Sequence, residues 1–209
     1  MLSTLSEEME MFIEVGKGVS EELAQARERG ERLSSQKRGE ISGRVTENVI
    51  RDHLRKKGLN MSRSRVRITP SWREIDLLLL KPESNPTKPK YRPEEVDAIL
   101  EIKNNAVADQ TTIIKQNFDK LKQIAKNARF AAIILSERDG YKYAIKQEEL
   151  GYPVFTLISR KVSAGRWMWS RNETLTMYSK IMRRGKWAGR RAIEETGKWK
   201  ELLDYLCRM

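Results

Sequence analysis

Apolar residues near the N-terminus fall on alternating three- and four-residue steps: Leu2, Leu5, Met9, Phe12, Val19, Leu23, Ala26 and Leu33. That spacing predicts amphipathic helix. Gly16 and Gly18 interrupt it and Ser20 can cap a fresh start, so two short helices are expected, packed on the chain's own core or paired with a second subunit, the glycines making a seam between subunits the weaker reading. A second helical face, Ile41, Val45, Val49, Ile50 and Leu54, runs over residues 41–57 and stops at Gly58. The period then changes to two. Arg63, Arg65 and Arg67 alternate with Ser64, Val66 and Ile68, which reads as a strand with a basic face. WREIDLLLLK, residues 72–81, reads as the next strand, and a proline-rich stretch over 82–94 as an exposed loop. VDAILEIK follows as a strand. An amphipathic helix comes next, with Asp109 as N-cap and Ile113, Ile114, Phe118, Leu121 and Ile124 facing inward. RFAAIILS is apolar throughout, as expected of a central strand parallel to a neighbour. PVFTLIS is one more strand, and residues 173–206 read as helix, broken near Gly185 and Gly189.

An antiparallel start followed by a strand–helix–strand crossover predicts an α/β fold, a mixed sheet flanked by helices. The expected organisation is an N-terminal helical extension over 1–35, a core over 36–160 and a C-terminal helical region over 161–209. No apolar run approaches the roughly 20 residues of a membrane-spanning helix, so no membrane partner is expected. The acidic N-terminus lacks the basic start of a signal peptide. The single Cys207 cannot form an internal disulfide, which suits a reducing cytosol, so a cytoplasmic location is expected. One His and one Cys exclude a zinc site of the usual four-ligand kind.

Charge changes the picture further. The chain carries +12 overall, distributed as −4 over residues 1–35, +8 over 36–159 and +8 over the much shorter 160–209. A polyanion is the natural partner, and nucleic acid the commonest one. In the tail, Trp167, Trp169, Trp187 and Trp199 interleave with basic residues. That pattern suits base stacking with phosphate contacts, and equally suits tryptophans packed in a core under a solvated basic face. Arg166, Arg171, Arg183, Arg184, Lys186, Arg190 and Arg191 are the candidate DNA-contacting residues.

The strand VDAILEIK poses a chemical problem. Alternation puts Asp97, Ile99, Glu101 and Lys103 on one face. The preceding strand carries Asp76 among apolar residues, so in neighbouring strands Asp76 and Glu101 converge at one end of the sheet. Two carboxylates forced together repel, and a shared proton or a divalent cation relieves them. All-oxygen ligation favours Mg²⁺, with Mn²⁺ as a substitute, and the carbonyl of Ile102 is a candidate third ligand. A lysine two residues on can hold an attacking water or neutralise charge developing on a phosphate. On an edge strand the same residues would make an ordinary cross-strand ion pair. Asp97 is the rival to Asp76, Glu74 a candidate auxiliary acid and more readily a solvated residue, and His53 reads as a surface histidine.

Asp76, then Glu101-Ile102-Lys103 on the following strand, then a helix and an apolar strand resembles the PD-(D/E)XK nuclease superfamily over roughly residues 43–159. That group includes restriction endonucleases, Holliday-junction resolvases and viral nucleases. The resemblance implies a restriction endonuclease-like core and Mg²⁺-dependent hydrolysis of DNA. It makes Asp76 and Glu101 metal ligands, Lys103 the catalytic lysine and Glu47 an accessory acid that binds a metal-bound water or a second metal. Gln116 matches a polar residue that some branches place near the site. Ile75 stands where proline is common before the first acid, and the connection from Asp76 to Glu101 is long, which leaves the branch open. A homodimer is expected because cutting two strands requires two sites. Two other classes compete: a non-catalytic DNA-binding protein on the same fold, and a basic scaffold that oligomerises through its N-terminal helices.

Overall fold

The computed structural model describes residues 6–105, 109–138, 145, 147–160 and 193–208. The periodic segments become helices α1 (Glu7–Glu28), α2 (Ser35–Lys56), α3 (Asp109–Ile124), α4 (Gln147–Leu150) and α5 (Lys198–Cys207). The strands are β1 (Arg67–Ile68), β2 (Leu77–Leu80), β3 (Lys90–Tyr91), β4 (Val96–Asn105), β5 (Arg129–Arg138), β6 (Val154–Arg160) and β7 (Ile193–Glu195). The main sheet has the order β2-β4-β5-β6-β7. β2 runs antiparallel to β4, β4, β5 and β6 are mutually parallel, and β7 returns antiparallel to β6. β1 and β3 form a small parallel pair beside it. This is the expected mixed sheet flanked by helices.

Strand alternation divides the interior into two cores. Leu77, Leu79, Leu100, Ile102, Ile133 and Leu135 face one way, under Met11 and Val15 of α1, Ile50 and Leu54 of α2 and Trp199 and Leu202 of α5. Leu78, Leu80, Ile99, Phe130, Ala132 and Ile134 face the other, under Ile114, Phe118 and Leu121 of α3. β5 is buried on both faces from Phe130 to Ser136, as its apolar run and its central, parallel position require.

Several expectations are corrected. The N-terminal segment is one continuous helix through Gly16 and Gly18, not two, and its N-cap is Ser6, whose Oγ accepts from the Met9 N–H. Gly18 is there for close approach: a Cβ on it would lie 2.9 Å from Val45 Cγ1 of α2. α2 begins at Ser35, six residues before its apolar face, capped by Ser34. The basic strand over 63–68 shrinks to Arg67–Ile68 because Arg65 takes φ 60°, which breaks the extended run. Of residues 72–81 only Leu77–Leu80 joins the main sheet, and Trp72 is 85% exposed. The proline-rich stretch contributes β3. Ile113 faces solvent rather than the core. The tail contains the strand β7, since Ile193–Glu195 pairs with Ile158–Arg160.

Trp199 is a core residue and not a free stacking platform, and the contacts that hold it also hold the two ends of the chain together. Glu8 of α1, 4% exposed, accepts from the backbone N–H of Thr196 at 3.1 Å, Gly197 at 3.2 Å and Trp199 at 2.7 Å. It therefore caps α5, whose N-cap position is a glycine with no side chain to offer. The Trp199 indole N–H donates to Glu7. His53 lies beneath this seam, buried, with Nε2 3.1 Å from Glu14 Oε2, so it is not the surface residue its helical position suggested. Among the described residues, no helix is long and apolar enough to cross a membrane.

Candidate active site

The antiparallel register sets the geometry. Leu77 pairs with Leu100, so Asp76, one residue before β2, comes opposite Glu101. Asp76 is held there by the backbone: the Ile102 N–H donates to its Oδ2 at 2.7 Å. Glu101 and Lys103 project from the same face of β4. Lys103 Nζ lies 2.5 Å from Glu101 Oε1 and 3.6 Å from Asp76 Oδ2. One ammonium is thus shared by two carboxylates at the end of an apolar strand, and all three side chains are mostly buried.

Glu47 approaches from α2. It is 5% exposed, and its partner is Arg65, whose Nε donates to Oε2 at 3.4 Å. Burial, reinforced by the charge of Asp76, pushes the Glu47 carboxyl up to about 7. Glu101 is also pushed up, by burial first and Asp76 second, against the pull of Lys103. Burial favours the neutral form of Lys103, but Asp76 and Glu101 outweigh it and hold the ammonium above its ordinary range. Burial leads for both acids, and the negative charge of Asp76 contributes to all three shifts.

The α2–β4 junction positions this set. The Asn104 side-chain amide donates to Ser42 Oγ, one turn before Glu47, and Ser136 Oγ donates to the Asn104 carbonyl at 3.2 Å. Arg65 is a site residue that sequence reasoning passed over as one of three alternating arginines. It binds Glu47, lies 3.9 Å from Glu74, and donates its backbone N–H to the Asp76 carbonyl. A left-handed backbone at a non-glycine residue costs of order 1–3 kcal/mol and concentrates at functional sites. No local sequence signal set Arg65 apart, because it alternates with Ser64 and Val66 just as Arg63 and Arg67 alternate with their neighbours.

The remaining candidates separate from this cluster. Asp97 falls at the irregularity between the Leu79–Ala98 and Leu80–Val96 pairs, four residues from Glu101. Glu74 is exposed, and among the described residues its ion pair is with Arg65. Gln116 is exposed on α3. Arg166, Arg171, Arg183, Arg184, Lys186, Arg190 and Arg191 lie outside the described residues, as do Trp167, Trp169 and Trp187.

The donor chemistry fits a hard divalent cation. Asp76 and Glu101 offer carboxylate oxygens to one positive charge already, that of Lys103. Among the described residues, no three His, Cys, Asp or Glu side chains group closely enough to form a complete protein cage. Mg²⁺ does not need one, since it is commonly held by one or two carboxylates with water and substrate phosphate.

No family model and no curated protein matches the sequence. Among solved structures, the chain is similar to P. aeruginosa NucC in its cAAA-bound form, at 12% identity and a TM-score of 0.47, over 98% of this chain and 92% of that one. E. coli NucC in its cAAA-bound form gives 13% identity and a TM-score of 0.46, over 98% and 91% of the two chains. The apo form of E. coli NucC gives 13% identity and a TM-score of 0.41, over 77% and 82%.

Proposed function

We propose that the chain is a Mg²⁺-dependent endonuclease of the PD-(D/E)XK type, hydrolysing phosphodiester bonds in DNA. The observation that carries this reading is the convergence of Asp76, Glu101 and Lys103 at the end of β4, with the buried acid Glu47 beside them. Asp76 and Glu101, with the Ile102 carbonyl, are the residues that would hold the ion. When bound, Mg²⁺ supplies charge stabilisation at the phosphoryl oxygens.

The chain's own residues do the rest. Lys103 Nζ neutralises Asp76 and Glu101 in the metal-free site, and would be free to donate to the scissile phosphate or the attacking water were those two carboxylates to hold a cation instead. Glu47 loses its proton near neutral pH, so it is suited to accept a hydrogen bond, and a proton, from that water. Arg65 holds Glu47 in position and adds a positive charge at the mouth. The basic tail, through Arg166, Arg171, Arg183, Arg184, Lys186, Arg190 and Arg191, serves as the wider DNA-binding surface, and a homodimer supplies the two sites that double-strand cutting needs. Single-stranded, duplex and branched DNA incubated with Mg²⁺, Mn²⁺ or EDTA test the reading, with Glu101→Ala alongside. Cleavage that needs the metal and is lost in Glu101→Ala is expected. Cleavage absent under every metal, or equal in the variant, contradicts it, and DNA binding without cleavage favours a non-catalytic role.

A further inference from the structure

Residues 63–76 form a two-armed loop at the site. Val66 and Ile75 bridge antiparallel, and the Arg65 N–H donates to the Asp76 carbonyl, so the base of the loop carries two site residues. Its tip turns at Ile68–Ser71, where the Ser71 N–H donates to the Ile68 carbonyl. Trp72 stands on the return arm, 85% exposed, four residues from Asp76. Four residues of extended chain span at most about 14 Å, so the indole stays within a few nucleotides of any phosphate held at Asp76.

The surroundings of Trp72 identify its partner. From Arg63 to Arg73 the chain has four arginines and no acid. Among the described residues, Arg65 pairs with Glu47 and Glu74, whereas Arg63, Arg67 and Arg73 make no ion pair there. The other large apolar side chain that stands exposed among the described residues is Ile113, on α3, so Trp72 is not part of a contiguous apolar patch of the kind a protein partner buries. An isolated, solvated indole on a loop whose chain carries these arginines is the equipment of a stacking platform for nucleic acid.

We propose that Trp72 stacks on an unpaired base next to the scissile phosphate, while Arg63, Arg67 and Arg73 grip the neighbouring backbone. This rests on the nuclease reading. It makes the loop the element that selects single-stranded or locally opened DNA over intact duplex, at the site itself and separately from the basic tail.

The test measures binding of a fluorescein-labelled oligothymidylate and of a duplex in EDTA, where cleavage is off, to the full chain and to Trp72→Ala, Trp72→Phe and Arg73→Glu. Trp72→Ala should lose roughly tenfold in affinity for the single strand and much less for the duplex. Trp72→Phe should recover most of the loss. Arg73→Glu should weaken both and reduce the salt slope by about 1. Melting temperatures should not change for either Trp72 variant, because the side chain is solvated. Single-strand affinity unchanged in Trp72→Ala overturns the inference while leaving the nuclease reading intact. A change of oligomeric state in Trp72→Ala without nucleic acid also overturns it, by making Trp72 a subunit contact. A full chain that neither binds nor cuts any DNA overturns both.

Discussion

Glu8 and Glu47 are buried to nearly the same degree, 4% and 5% exposed, yet their surroundings differ completely. Glu8 accepts three backbone N–H groups at the start of α5 and so fastens the first helix of the chain to the last. Glu47 has a single guanidinium at 3.4 Å and a second carboxylate, Asp76, close enough to push its proton affinity up to about 7. A buried carboxylate with its full set of donors is architecture. A buried carboxylate that is short of donors and crowded by others of its sign destabilises the fold, and persists where a function uses the stored charge. The seam and the site are the two ends of that scale in one small molecule.

The contrast can be broken at four points, taken from the largest expected effect downward. Lys103→Met removes the ammonium shared by Asp76 and Glu101 and leaves buried acids unpaired. Losing one partner of a buried ion pair costs about 3–5 kcal/mol. In urea unfolding without metal the loss should be greater at high pH than at low pH, because protonation relieves the stranded Glu101, whose carboxyl burial already pushes up. If Lys103→Met is as stable as the parent chain at pH 8, the ammonium is not what holds the acids together.

Glu47→Gln acts in the opposite direction. A carboxyl raised from an ordinary value near 4.5 to about 7 imposes no penalty while protonated in both states, an increasing penalty between those values, and the full penalty above 7. The full penalty is about 3 kcal/mol, so Glu47→Gln should stabilise the metal-free chain by up to that amount at pH 8 and by almost nothing at pH 4. A destabilised variant at pH 8 would mean that Glu47 belongs with Glu8 as architecture. Glu8→Ala should cost about 2 kcal/mol, the value of a lost cap. Hydrogen exchange should show the loss concentrated in α5. Gly18→Ala should cost about 1 kcal/mol, since the stiff Val45 side chain must move to admit a methyl group despite the better helix propensity.

Much of this arrangement was legible in the sequence because it rests on short-range pattern. Alternation along VDAILEIK and the neighbouring position of EIDLLLL were enough to bring Asp76 opposite Glu101, and the register observed does that. The apolar run of β5 declared its central place. What was illegible depends on partners far apart in the chain. Nothing local marks Glu8 as the cap of a helix whose Trp199 N–H lies 191 residues away, or Trp199 as buried beneath it. Gly16 and Gly18 looked like a break because glycine disfavours helix, whereas Gly18 answers to the surface of α2. Arg65 was hidden for a similar reason: its backbone leaves the strand region, so alternation, the one rule available, assigned it to a basic face.

On the proposed nuclease reading, charge at the end of β4 performs the chemistry while charge at the α1–α5 seam only holds the fold. The most direct test is the single-turnover rate of Mg²⁺-dependent DNA cleavage by Asp76→Asn and Glu8→Ala, at a temperature where circular dichroism shows both to be folded. Asp76→Asn should fall by at least about a thousandfold, as expected when a group that stabilises transition-state charge is lost, and Glu8→Ala should cut at the rate of the parent chain. Undiminished cleavage by folded Asp76→Asn, or an equal loss in both variants, would contradict the account.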